Sequence, residues 1–298
     1  MNEAPFFIVD VFTLTPDSGN PAGVVVTQQP LTSARMQAIA GELHLETAFA
    51  SPLADGTADF QVAYFTGTAR VPLCGHDTIA LAVVLAQTGR IPSSGKIKFA
   101  TDVGILSVSI VSDGSVSMDQ ALPVYGPLID PEGAAAALGL SVSEIDETYL
   151  PVQIVSTGTP FLIVPVLHRS VLNELVPDLP TLLDYGKSLS DTDMGFYVWT
   201  SETLRADAQI HARCFFPAIG LPEDPVTGTA SGAVGAYLAR HGQLLSEAEG
   251  VLTLKTEQGY AMGRPGSCRV RLEMRGSEVA RVQVGGNAVV VGEGKILL

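Results

Sequence analysis

The sequence predicts an α+β protein built from two pseudo-symmetric halves, each a sheet wrapped around one buried helix. Three observations predict it. The chain repeats itself: PLCGHDTIALAVVLAQTG at 72–89 matches PVTGTASGAVGAYLARHG at 225–242 without a gap over 18 positions, at an offset of 153 residues. Pro72 pairs with Pro225, Gly75 with Gly228, Ala80 with Ala233, Leu85 with Leu238, Gly89 with Gly242, and Thr78 with Ser231. The flanks agree, QVAYF (61–65) with ARCFF (212–216) upstream and KIKFAT (96–101) with VLTLKT (251–256) downstream. Elsewhere the chain is dominated by short β-branched or aromatic runs between turn residues, such as FFIVDVF, DFQVAYF, GFYVW and SCRVRLEM. Two copies at so long a period make a pseudo-dimer, not a solenoid. A single mixed domain with a coincidental match is the alternative.

Each repeat reads as strand, Pro/Gly loop, helix, strand. The first helix, about His76 to Thr88, is apolar nearly all round, which places it at the centre of its domain. The second, about Thr229 to Arg240, is rich in Ala, Ser and Gly and suits close packing. Gly89 and Gly242 stand where helices commonly stop. Two shorter helices per half are expected, for example Thr32–Leu43 and Pro131–Leu138.

Composition narrows the function. The 298 residues suffice for two domains, each with its own core. A net charge of −14 and the lack of a Lys/Arg cluster argue against nucleic acid. The longest apolar stretch in a helical context, Ile79–Ala86, falls far short of the ~20 residues of a spanning helix, so no membrane partner is expected. The mean hydropathy of +0.31 reads as a filled core. MNEAPFFIVDVF has neither a basic n-region nor a long apolar run, and predicts no secretory leader. Cys74, Cys214 and Cys268 are widely spaced and predict no disulfide framework, which fits a cytoplasmic setting. His44, His168, His211 and His241 form no metal-like spacing, so no metal is expected.

Both buried helices begin at a glycine: Cys74-Gly75-His76 and Thr227-Gly228-Thr229. A helix start offers free N–H groups and a partial positive charge, and glycine admits a ligand close to that backbone. Two such starts, related by pseudo-symmetry, suit a small carboxylate without any basic side chain. Plain capping explains either one alone equally well. Glu46, beside Leu45 and an apolar strand-like run, has the position of a partly buried general base, although an exposed strand glutamate would look the same.

GNPAGVVV (19–26), LHLETAF (43–49), CGHDTIA (74–80), EDPVTGTASGA (223–233) and EQGYAMGRPG (257–266) resemble, in order and over essentially the whole chain, the signatures of the PhzF family. These are phenazine biosynthesis-like isomerases of diaminopimelate-epimerase-like fold. The resemblance implies one domain from 1–118 with 284–298 returning to it, a second from 119–283, and an active site in the cleft between them. It implies cofactor-independent isomerisation by proton transfer between carbons, as on trans-2,3-dihydro-3-hydroxyanthranilate, and a homodimer. It places the catalytic carboxylate on Glu46, supporting groups on His76 and Asp224, and substrate contacts on Asn20, Gly75, Gly228 and Thr229. Asp77, Thr229 and Ser231 depart from the family pattern, where a small residue, serine and histidine are usual, and put the substrate in question.

The residues keep two other functions open. One-base racemisation of an amino acid is one. A two-cysteine racemase is disfavoured, because the repeat partner of Cys74 is Thr227, whose hydroxyl is far too weak an acid. On this reading Cys74 is a small, inert hydrophobe. The other is a scaffold that binds a metabolite or protein without chemistry.

Overall fold

The computed structural model describes residues 3–146, 150–244 and 246–298. The architecture is α+β, mostly sheet, and the chain divides into two compact units, 1–119 with 285–298, and 120–284.

The first unit contains β1 (Glu3–Val11), β2 (Asn20–Val26), α1 (Ser33–Leu43), β3 (Thr47–Pro52), β4 (Phe60–Phe65), β5 (Arg70–Val71), α2 (Gly75–Gln87), β6 (Gly95–Thr101), β7 (Gly104–Ile110) and β8 (Val116–Gln120), whose last residue, Gln120, belongs to the second unit. The second contains β9 (Val124–Leu128), α3 (Pro131–Leu138), β10 (Gln153–Ser156), β11 (Pro160–Pro165), α4 (Arg169–Glu174), α5 (Leu179–Leu189), β12 (Gly195–Thr200), β13 (Ile210–Phe216), β14 (Leu221–Asp224), α6 (Gly228–Arg240), β15 (Ser246–Ala248), β16 (Val251–Gln258), β17 (Gly266–Arg275) and β18 (Glu278–Gly286). The last strand, β19 (Ala288–Leu297), pairs antiparallel with β1.

Both units follow one course. An antiparallel pair (β1–β2; β10–β11) leads into a parallel step (β2–β3; β11–β12). An antiparallel partner follows (β3–β4; β12–β13), then a parallel crossover through the buried helix (β4–β6; β13–β16) and a return strand (β6–β7; β16–β17). The parallel crossovers need a connection long enough to hold a helix, and the repeated segment supplies it.

The two central helices are buried as their composition predicts. Every residue of α2 from Asp77 to Leu85 is buried, and every residue of α6 from Ala230 to Leu238. The small residues of α6 have a steric cause: a Cβ on Gly235 would lie 2.8 Å from Val270 Cγ1 of β17. The paired hydroxyls also match. Thr78 Oγ1 donates to the Cys74 carbonyl (2.7 Å), and Ser231 Oγ donates to the Thr227 carbonyl (2.9 Å). Each satisfies its own hydroxyl inside an apolar domain.

Helices α1 and α3 form as expected. Thr32 and Asp130 cap their first turns, and His44 and Gly139 close them in the left-handed conformation. The count per half differs from expectation. Among the described residues, α1 is the single short helix of the first unit, whereas α3, α4 and α5 serve the second. The connection from β2 to β3 holds α1 alone; that from β11 to β12 holds both α4 and α5. The latter pair packs its apolar residues, Val171, Leu172 and Leu182, against Phe196 and Phe215. No helix among the described residues is long and apolar enough to cross a membrane.

Candidate functional site

Glu46 lies between the end of α1 and the start of β3, and the parallel pairing of β2 with β3 fixes its backbone. The Gly23 N–H donates to the Glu46 carbonyl (2.7 Å), and the Thr47 hydroxyl donates to the Leu45 carbonyl (3.1 Å). Gly23 sits opposite Thr47, where a Cβ would come within 2.5 Å of Thr47 Oγ1, so a side chain there has to displace Thr47. The Glu46 side chain stays 36% exposed.

Helix α2 brings three more groups to that carboxylate. The Cys74 thiol donates to Glu46 Oε2 (3.1 Å). The His76 ring stands 3.3 Å from Cys74 Sγ through Nδ1, with Nε2 3.6 Å from Glu46 Oε2 and 3.4 Å from Asp77 Oδ1. Asp77 is fully buried, and neither of its oxygens has a hydrogen-bond partner among the described residues. Burial pushes its carboxyl up to about 7; the charge of His76 opposes that rise and Glu46 reinforces it. Burial, then the negative charges of Asp77 and Glu46, hold the Cys74 thiol well above its ordinary range. The thiol therefore keeps its proton and acts as a donor. Read from the sequence as a small, inert hydrophobe, Cys74 makes polar contacts with both Glu46 and His76.

The second unit presents a polar set at the matching helix start. Asp224 ends β14, and its Oδ2 accepts from the Thr227 hydroxyl (2.5 Å). Gln258 of β16 ties the loop together. Its Nε2 donates to the Asp224 carbonyl (2.7 Å) and to Thr227 Oγ1 (3.1 Å), and its Oε1 accepts from the Thr227 N–H (3.2 Å). The Gly228 carbonyl accepts from Gln120 Nε2 (3.2 Å), and the Thr229 carbonyl from the Thr157 hydroxyl (3.4 Å). Neither Cys74 nor Thr227 caps its helix with its own side chain. Both starts carry the positive end of the helix dipole without a capping side chain from that residue.

Glu46, Gly75 and His76 therefore come together in the first unit, and Asp224, Gly228 and Thr229 in the second. Asn20 is buried at the first residue of β2, the strand whose Gly23 holds Glu46. Reading the sequence missed Asp77 as a buried carboxylate, and Thr227 and Gln258 as the groups that hold Asp224. The signal for Gln258 was its place in the EQGYAMGRPG motif; the Thr227 signal was its position opposite Cys74 in the repeat. One donor set was also hidden: Glu46, Cys74 and His76 offer ligand atoms that all lie within 4.8 Å of one another.

The isomerase class of this α+β chain follows from its relatives. An uncharacterised isomerase of Clostridium acetobutylicum is 37% identical, with 97% of each chain covered. The trans-2,3-dihydro-3-hydroxyanthranilate isomerase of Pseudomonas fluorescens is 31% identical, with 98% of this chain and 99% of that one covered. The crystal structure of the Bacillus anthracis phenazine biosynthesis protein, PhzF family, superposes with a TM-score of 0.88 at 30% identity, covering all of both chains. The family model described as phenazine biosynthesis-like protein matches residues 9–294. The chain belongs to this PhzF family.

Proposed function

We propose that the chain is a cofactor-independent isomerase that moves a proton between two carbons of a small carboxylate substrate, with Glu46 as base and then acid. The observation that carries this reading is the setting of Glu46: a backbone locked by Gly23 and Thr47, and a carboxylate that is partly open and touches both a thiol donor and an imidazole. The step is redox-neutral. Glu46 takes a proton from one carbon, the C–H electron pair delocalises into the substrate's π system, and the Glu46 carboxyl, open to exchange with solvent, delivers a proton to another carbon. The chemistry calls for no electron acceptor.

The other groups have supporting parts. Cys74 donates to the carboxylate oxygen nearer to it and leaves the other free to accept the proton. His76 serves as a hydrogen-bonding partner of the substrate and helps to balance the charge of Glu46. The uncapped helix starts at Gly75 and Gly228, with Asn20 and Thr229, are the proposed carboxylate and polar contacts. Asp224, oriented by Thr227 and Gln258, is the proposed partner of a substrate amino or hydroxyl group. The likeness to a dihydro-hydroxyanthranilate isomerase supports a cyclic, unsaturated carboxylate as the first substrate class to test.

Glu46→Gln keeps the shape and the hydrogen bond from Cys74 but removes the base. It is expected to abolish turnover of such a substrate while calorimetry still shows binding. Turnover at the wild-type rate in that variant would remove Glu46 from the mechanism.

A further inference from the structure

The residues proposed for proton transfer also form a set of donors suited to a borderline divalent cation. With His76 Nε2 as the ring donor, the three edges of the set are 3.1 Å (Sγ to Oε2), 3.6 Å (Nε2 to Oε2) and 3.9 Å (Nε2 to Sγ). A tetrahedral zinc ion, with Zn–S of about 2.3 Å and Zn–N and Zn–O of about 2.0–2.1 Å, sets its ligands roughly 3.3–3.6 Å apart. Adjustments of a few tenths of an ångström convert one arrangement into the other. A thiolate, an imidazole and one carboxylate select zinc, cobalt or cadmium over magnesium or calcium, which prefer all-oxygen sets.

A second observation points the same way. Asp77 is fully buried beside the set, both of its oxygens lack a hydrogen-bond partner among the described residues, and Oδ1 lies 3.4 Å from the same His76 nitrogen. A buried carboxylate that accepts no hydrogen bond and has one long contact to an imidazole is costly. A cation held by Glu46, Cys74 and His76 would give it a positive neighbour and would be stabilised by it in turn.

We propose that Glu46, Cys74 and His76 bind Zn2+ or a chemically similar cation, with Asp77 as the adjacent stabilising carboxylate, and that occupancy blocks the enzyme. Binding breaks the Cys74 S–H bond, forms a metal–sulfur bond and releases one proton to solvent, with no change of oxidation state. Inhibition rests on the proposed role of Glu46, because a carboxylate bound to metal is withdrawn from proton transfer; binding itself does not.

The test uses untagged full-length protein, stripped with a chelator and titrated with Co2+. The expected result is a near-ultraviolet thiolate-to-cobalt charge-transfer band that saturates at one equivalent and is displaced by Zn2+. Cys74→Ser abolishes the band, and Cys214→Ala, which alters a buried thiol elsewhere in the chain, leaves it intact. His76→Gln keeps the band but weakens binding, and Asp77→Asn weakens it by about 10- to 100-fold. Absence of the band in the wild type, or its survival in Cys74→Ser, overturns the site. If Cys74→Ser fails to fold, unchanged cobalt affinity in His76→Gln does so instead. If cobalt binds through Cys74 but Zn2+ leaves substrate turnover untouched, the metal site stands and the role given to Glu46 falls.

Discussion

Asp77 gives the sharpest prediction about stability. Its carboxyl titrates near 3.8 in the unfolded chain and is pushed up to about 7 in the fold, chiefly by burial. The folded protein therefore holds this proton more tightly than the unfolded chain does. The stability contributed by the neutral acid is complete below the unfolded value and is lost as pH rises through the folded one. A shift of roughly three pKa units, at about 1.36 kcal/mol each, bounds the total at about 4 kcal/mol. Of this, about 2–3 kcal/mol falls between about pH 5 and about pH 8. Asp77→Asn keeps the shape and removes the ionisation. Urea unfolding of both proteins at those two pH values is expected to show the wild type losing about 2–3 kcal/mol more than the variant. The charges of His76 and Glu46 act on Asp77, so the difference between the two pH dependences reports the Asp77 carboxyl together with its coupling to these neighbours. Parallel pH dependences would refute the reasoning.

Other substitutions test the supports of the two sites. Gly23→Ala drives a methyl group against Thr47 and displaces the strand that holds Glu46; turnover is expected to fall at least about tenfold (an energetic change of about 1.4 kcal/mol), with partial recovery in the Gly23→Ala/Thr47→Ala double variant, both read by steady-state kinetics. Arg213 forks onto Glu223 (2.8 and 2.7 Å) and donates to the Leu172 and Leu175 carbonyls (2.7 and 2.6 Å). Arg213→Met strands those acceptors, and chemical denaturation should show a loss of about 3–5 kcal/mol. The homodimer implied by the family resemblance predicts a sedimenting mass of twice 31.2 kDa; a species at 31.2 kDa across the working concentration range would count against it.

Much of the fold was legible because the duplication repeats physical constraints as well as letters. Thr78 and Ser231 match because each buried helix needs a hydroxyl that bonds back to its own first turn. The bounds of α3 were legible because Asp130, Pro131 and Gly139 are local start and stop signals. Glu46 and His76 were reachable through the motifs. The contact between Glu46 and Cys74 was not, since it depends on the parallel pairing of β2 with β3 and on how α2 meets that pair, which no local pattern encodes. Asp77 looked like an ordinary acidic residue in a first helical turn; the sequence does not say that its side chain, unlike that of His76 beside it, is fully buried. The unequal helix count likewise follows from how much chain each β-to-β connection carries, a property in which the two halves differ.

The central claim is that Glu46 moves a proton on and off carbon, and proton NMR in D2O tests it most directly. Small carboxylates, dihydro-hydroxyanthranilate among them, are incubated with wild type and with Glu46→Gln. The account predicts deuterium at one carbon of a substrate with wild type and none with Glu46→Gln. Equal deuterium incorporation by the two proteins would contradict it.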